Sequence, residues 1–172
     1  MTVRITKPEF NLREKLTELD YSRVPYEKMP AGSIIQFKQL KLRNVDVGGF
    51  FLTTTSSSFT QTITDFSLSI SPRFNTSKIL ITVVTFKYLS SGDYAYTTIY
   101  RDDTNLGGSD RGLNEESGNS HTWNTVVINF VDTPETTSTI TYKIYGRRTG
   151  GTLYLGGDND VVNTITLMEV KQ

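Results

Sequence analysis

Cysteine is absent from the 172 residues, histidine occurs once (His121), and alanine only twice (Ala31 and Ala95). Without cysteine there is no disulfide scaffold, thiol nucleophile, iron–sulfur cluster or Cys-based zinc site. One imidazole excludes a His-pair metal site and leaves a single candidate base of that type. An excess of either charge is missing too, since 18 basic side chains balance 18 acidic ones. A nucleic-acid binder would normally carry a basic excess or stripe. Long apolar runs are also lacking. The longest, Ile79 to Phe86, has eight residues and includes Thr82 and Thr85, against the roughly 20 of a membrane-spanning helix. Met1 to Lys7 leads into charged residues rather than an apolar run, so no secretory signal and a soluble chain are expected.

What is abundant points to strands. There are 26 Thr and 15 Ser; Thr, Val, Ile, Tyr and Phe suit a pleated, half-buried surface, and a helical protein would be rich in alanine. Only the start of the chain departs from this. Residues 1–28 hold 11 of the 36 charged side chains. Thr6-Lys7-Pro8-Glu9 fits a capping box, with Ile5 and Phe10 at the two positions of a hydrophobic staple; a rival start lies at Asn11, with Glu14 three residues on. Leu12, Leu16 and Leu19 recur at i, i+4 and i+7, one narrow apolar stripe. A helix this short is marginal alone in water, so its stripe rests either on its own domain or on another protein. The expected organisation is a helical anchor over residues 1–20, a Pro- and Gly-containing connector over 21–32, and a β domain over 33–172.

Nine strands are predicted from apolar alternation and Gly/Ser/Asn/Asp-rich separators: Ser33–Leu42, Phe50–Thr55, Phe59–Ile70, Lys78–Leu89, Tyr94–Arg101, His121–Val131, Thr139–Arg147, Thr152–Leu155 and Asn163–Val170. Without internal repeats, they imply an all-β fold, an antiparallel sandwich of jelly-roll type. Two strands break the alternation. Lys78–Phe86 and Val126–Val131 are apolar on both faces, whereas a sandwich strand needs only one, so the second face must meet something else. A subunit interface is favoured over the N-terminal helix or a long loop.

Chemistry is harder to find. Asp102-Asp103, Asp110, Glu115-Glu116, Asp132 and Asp158-Asn159-Asp160 fall mostly in Gly/Asn-rich loops, where solvated acids are the default; a carboxylate pair held across a glycosidic bond is not indicated. Gly156-Gly157-Asp158-Asn159-Asp160 has a faint calcium flavour but lacks the further ligands and closing Glu of an EF-hand, and reads better as a turn. Gly107-Gly108, Gly150-Gly151 and Gly156-Gly157 precede no helix and read as turn glycines. Asp102 to Ser120 is the one long polar insertion. It reads as a variable surface loop with a short hairpin inside. The alternative is a receptor- or glycan-facing tip carrying Tyr94, Tyr96, Tyr100 and Trp123.

Several segments, taken in order, resemble a known family: Arg4-Ile5-Thr6-Lys7-Pro8-Glu9-Phe10-Asn11-Leu12, Ala31-Gly32-Ser33-Ile34-Ile35-Gln36, Leu68-Ser69-Ile70-Ser71-Pro72, Ser77-Lys78-Ile79-Leu80-Ile81, Phe130-Val131-Asp132-Thr133-Pro134, and Ile165-Thr166-Leu167-Met168-Glu169. The succession is similar to the small β-rich virion structural and tail-fibre-like proteins of tailed bacteriophages, particularly marine ones infecting cyanobacteria. That resemblance implies a non-enzymatic virion component without a cofactor, assembled as a homotrimer in the host bacterial cytoplasm. It also implies an N-terminal arm (Ile5, Phe10, Leu12, Leu16, Leu19) that docks on a capsid or tail protein. It transfers no catalytic residues.

Overall fold

The computed structural model describes residues 24–90, 94–117, 121–158 and 160–172. The expected anchor helix, with Ile5, Phe10, Leu12, Leu16 and Leu19, lies outside the described residues. Among the described residues twelve strands follow the connector: β1 (Ile34–Arg43), β2 (Leu52–Thr54), β3 (Thr60–Gln61), β4 (Ser67–Ile70), β5 (Lys78–Leu89), β6 (Tyr94–Arg101), β7 (Thr104–Asn105), β8 (Asn114–Ser117), β9 (Thr122–Asp132), β10 (Ile140–Arg148), β11 (Leu153–Leu155) and β12 (Val162–Val170). A one-turn helix, α1 (Asn44–Val47), follows β1 and ends at Gly48 with φ +74°.

The strands form two antiparallel sheets. The first has the order β1–β12–β5–β9, and its far end is extended by β11 and β2 alongside β5. The second has the order β4–β10–β6–β8, with β3 continuing the β4 edge and β7 the β8 edge. Setting aside the short β2, β3, β7 and β11, eight strands remain. In chain order they are arranged first-eighth-third-sixth and second-seventh-fourth-fifth, the wrapping of two Greek keys. The fold is a jelly roll.

Alternation decides which side chains enter the core. Along β5, Ile79, Ile81, Val83 and Leu89 are fully buried, while Leu80, Val84 and Tyr88 between them are half-buried on the other side. Facing them from the second sheet are Ile70, Ile99, Ile140, Tyr142 and Ile144, with Ile165 and Leu167 from β12 completing the main cluster. Burying each such side chain contributes about 1.5–3 kcal/mol. Leu52, Leu89, Ala95, Leu153 and Leu155 form a smaller cluster at the β2–β11 end.

Several polar groups sit in this interior, each with a partner that explains it. Asp132 of β9 accepts two contacts from an Arg101 guanidinium nitrogen (2.9 and 3.0 Å) and one from the Tyr142 hydroxyl (2.7 Å), linking the two sheets. Burial, then the bond to Asp132, pushes the Tyr142 phenol far above its ordinary range. A second ion pair between the sheets joins Lys87 of β5 to Glu116 of β8; burial pulls the Lys87 ammonium down and Glu116 opposes that shift. The Glu169 carboxylate accepts from Gln36 Nε2 (2.6 Å) and from the backbone amides of Arg73 and Phe74 (2.7 and 3.3 Å), holding the β4–β5 loop.

Candidate functional site

The two sheets present outer faces of opposite character. On the first sheet, the registers of β1, β12, β5 and β9 line up side chains in transverse rows. Phe37, Met168, Leu80 and Val131 form one row, Gln39, Thr166, Thr82 and Asn129 the next, and Lys41, Thr164, Val84 and Val127 a third. The polar row is internally bonded, Gln39 Nε2 to Thr166 Oγ1 at 3.0 Å and Thr82 Oγ1 to Asn129 Oδ1 at 2.9 Å. The apolar members of the other two rows stay open: Phe37, Val127 and Val131 are 59, 52 and 53% exposed. This is the second apolar face that the two-sided patterns of Lys78–Phe86 and Val126–Val131 predict. Strand β9 is moreover an edge, paired only with β5 among the described residues, and Thr122 to Val131 contains no charge and no proline.

At the far end of the same face an aromatic group gathers. Tyr88 stacks on Trp123 with ring centroids 4.6 Å apart and lies 5.5 Å from Tyr154, which meets Phe50 at 4.9 Å. Trp123 remains 48% exposed. His121 sits at the strand start with φ +66° and its ring edge-on to Tyr88 at 6.2 Å.

The outer face of the second sheet is covered from within the chain. Residues 102–117, expected as a surface loop, fold back onto β6: β7 pairs with Tyr100 and Arg101, and β8 with Tyr94 to Thr97. Gly107 and Gly112 press onto Thr98 so closely that an added Cβ would lie 2.7 Å and 2.9 Å from its side-chain atoms. Only glycine permits that approach. Thr98 Oγ1 donates to Asn105 Oδ1 at 2.7 Å, which also accepts from the Gly107 amide at 3.0 Å.

Arg147, projecting outward from β10, ties this loop to the one between β2 and β3. Its Nε donates to the Asp110 carbonyl at 2.6 Å, one terminal nitrogen donates to the same carbonyl, and the other donates to the Ser57 carbonyl at 2.9 Å. The guanidinium carbon lies 4.4 Å from the Tyr96 ring centroid and 5.5 Å from that of Phe59, within cation–π range. Beside it opens a cleft of about 350 Å³ lined by Ser57, Ser58, Phe59, Tyr100, Ser109, Asp110 and Arg147. Tyr100 stacks on Tyr145 at 3.9 Å between centroids, and burial followed by Tyr145 raises the Tyr100 phenol above its usual value.

The four aromatic residues grouped as a tip in the sequence do not form a single cluster, although the Tyr94 and Tyr96 rings stack with centroids 6.3 Å apart. Tyr94, Tyr96 and Tyr100 alternate outward on β6, and Trp123 belongs to the opposite outer face. Tyr96 is only 6% exposed because Arg147 lies across it, while Tyr94 is 47% exposed. Tyr100 alone reaches the cleft. The Gly156–Asp160 turn is organised by buried asparagines: Asn163 Nδ2 donates to the Gly156 carbonyl and Asn44 Nδ2 to that of Gly157, both at 2.8 Å. Asp158 is exposed, Asp160 reaches Arg43 at 3.3 Å, and Asn159 lies outside the described residues. Among the described residues, no three His, Cys, Asp or Glu side chains stand together as a metal-holding group, and no helix is long and apolar enough to cross a membrane.

No family model and no curated protein matches this chain. Solved structures with related architecture include a subunit of the T13 particle of infectious bursal disease virus, at 14% identity and a TM-score of 0.42, covering 86% of this chain and 43% of that one. The VP2 protein of the same virus in T=1 particles overlaps at 17% identity and a TM-score of 0.38, covering 87% of this chain and 40% of that one. This chain thus spans less than half the length of these neighbours. At such overlap they transfer neither a site nor a role.

Proposed function

We propose that the chain is a non-enzymatic structural subunit of a tailed-bacteriophage virion, a short fibre, spike or decoration protein that assembles as a homotrimer. In this reading residues 1–20 dock Ile5, Phe10, Leu12, Leu16 and Leu19 on a capsid or tail protein, and the jelly roll projects from the particle. The observation that carries it is the open outer face of the β1–β12–β5–β9 sheet. The interior core already occupies one apolar face of each sheet, so Phe37, Leu80, Val84, Val127 and Val131 lie outside that core and keep apolar surface uncovered in the isolated fold. Burial against another subunit gives them a stabilising role.

Two further observations support the reading. The buried acids Asp132 and Glu169 and the half-buried Glu116 are all engaged in joining sheets or holding loops, which is structural work. The order of sequence segments resembles virion proteins along most of the chain, and a cysteine-free chain suits assembly in a reducing bacterial cytoplasm. Native mass spectrometry of the full-length chain tests the assembly: a mass of three copies is expected, and a monodisperse monomer across micromolar concentrations overturns it.

A further inference from the structure

We propose that the cleft on the outer face of the β4–β10–β6–β8 sheet binds a neutral saccharide. This goes beyond the assembly reading and stands apart from it, because the cleft and the open apolar face lie on opposite sides of the sandwich.

The chemistry of the lining selects the ligand. The cleft's one cation is Arg147, and its guanidinium is already committed to the Asp110 and Ser57 carbonyls and to the Tyr96 ring. No free positive charge is left to hold a phosphate, a sulfate or an acidic sugar. Among the described residues the Asp110 carboxylate has no hydrogen-bond or ion-pair partner, so it adds a repulsion against anions. Nor does the lining suit an apolar ligand, because three serines border it.

What remains complements a polyhydroxylated ring. Among the described residues the hydroxyls of Ser57, Ser58 and Ser109 and the phenol of Tyr100 have no hydrogen-bond partner, and each can donate or accept. The free Asp110 carboxylate can accept from two neighbouring hydroxyls at once, the stronger charge-assisted kind of bond. Phe59 and Tyr100 supply apolar ring surface for the C–H side of a sugar. A volume of about 350 Å³ is at the small end of ligand pockets, matching a short glycan segment. The site is also preformed. Arg147 fixes both loops, and Gly107 and Gly112 seat one of them on Thr98, so little ordering accompanies binding.

Saturation-transfer difference NMR on the full-length protein tests this. The probes are glucose, galactose, mannose, rhamnose and N-acetylglucosamine, with inorganic phosphate and N-acetylneuraminic acid as anionic comparisons. At least one neutral sugar is expected to receive saturation. Asp110→Asn is expected to weaken it about tenfold, the scale of a hydrogen bond to a charged group, and the double variant Ser57→Ala/Ser58→Ala is expected to weaken it too. Both leave the backbone carbonyls that hold Arg147 in place, so an unchanged thermal midpoint separates lost binding from lost folding. Trp123→Ala, on the other face, should bind as the parent does. The proposal is overturned if no neutral sugar receives saturation, if binding survives the cleft variants or depends on Trp123, or if an anionic probe binds more tightly than every neutral one.

Discussion

On one outer face of this sandwich, four long strands meet solvent with Phe37, Leu80, Val84, Val127 and Val131 uncovered. On the other, the chain folds two loops back over β6 and β10 and fastens them with Arg147. The strands differ in composition, aliphatic outward in β5 and β9 and rich in Tyr and Arg in β6 and β10, and they differ also in where the covering comes from. A face closed from within needs glycines for close approach, a cation to span two loops, and hydroxyls that tolerate partial exposure. A face left for a partner needs none of these, only aliphatic and aromatic side chains on a regular grid. On the proposed assembly, the chemistry beside each strand separates surface that completes the monomer from surface that meets another subunit.

The strongest way to break the comparison is to place charge on the open face. Val127→Glu with Val131→Glu puts two carboxylates where apolar contact is expected, and native mass spectrometry should show trimer replaced by monomer, association weakening by about a hundredfold or more. The thermal midpoint of the dissociated chain should move little, because both valines are already half exposed. Arg147→Ala attacks the other face. It removes three donated bonds and the ring contacts, so a loss of about 1–2 kcal/mol in denaturant unfolding is expected, with subunit association intact.

Two smaller effects sharpen the distinction. Tyr142 lies in the core common to both faces and its phenol is raised above its unfolded value near 10. Its contribution is complete below pH 10 and declines as pH rises above it, because only the unfolded state then releases the proton. Tyr142→Phe should cost about 1 kcal/mol at neutral pH and flatten the alkaline decline seen by urea titration. Trp123→Ala should cost the monomer about 1 kcal/mol or less, the value of one stacked aromatic contact, while weakening association more.

The strands were legible because their physics is local. β5 and β6 begin and end at the predicted residues, since their runs of β-branched, aliphatic and aromatic residues are bounded by Ser, Gly and Asp. Phe59–Ile70 instead divides into β3 and β4, because the Phe66 amide turns back to the Ile63 carbonyl at 3.1 Å. β7 and β8 were not legible: two and four polar residues carry no apolar period, and their pairing is set by β6 rather than by themselves. The four-residue α1 was too short to show periodicity, with Gly48 as its one signal. The open apolar face was foreseeable from the two-sided patterns of β5 and β9. The cleft was not, because it depends on Arg147, some 40 residues from the loop it clamps, and nothing in the neighbourhood of Tyr96 indicates that a guanidinium buries it.

The position of β12 has a consequence for synthesis. This strand lies between β1 and β5, pairing Phe37 with Met168 on one side and Leu80 with Met168 on the other. The middle of the first sheet is therefore filled by a strand synthesised after both of its neighbours. Until it arrives, β1 and β5 have no neighbour to join them, and the apolar residues of β5 wait without their full complement. Closure of β1 onto β12, across more than a hundred positions, is slow, and it makes the arrival of β12, not the emergence of the early strands, the event that commits the domain to its folded state.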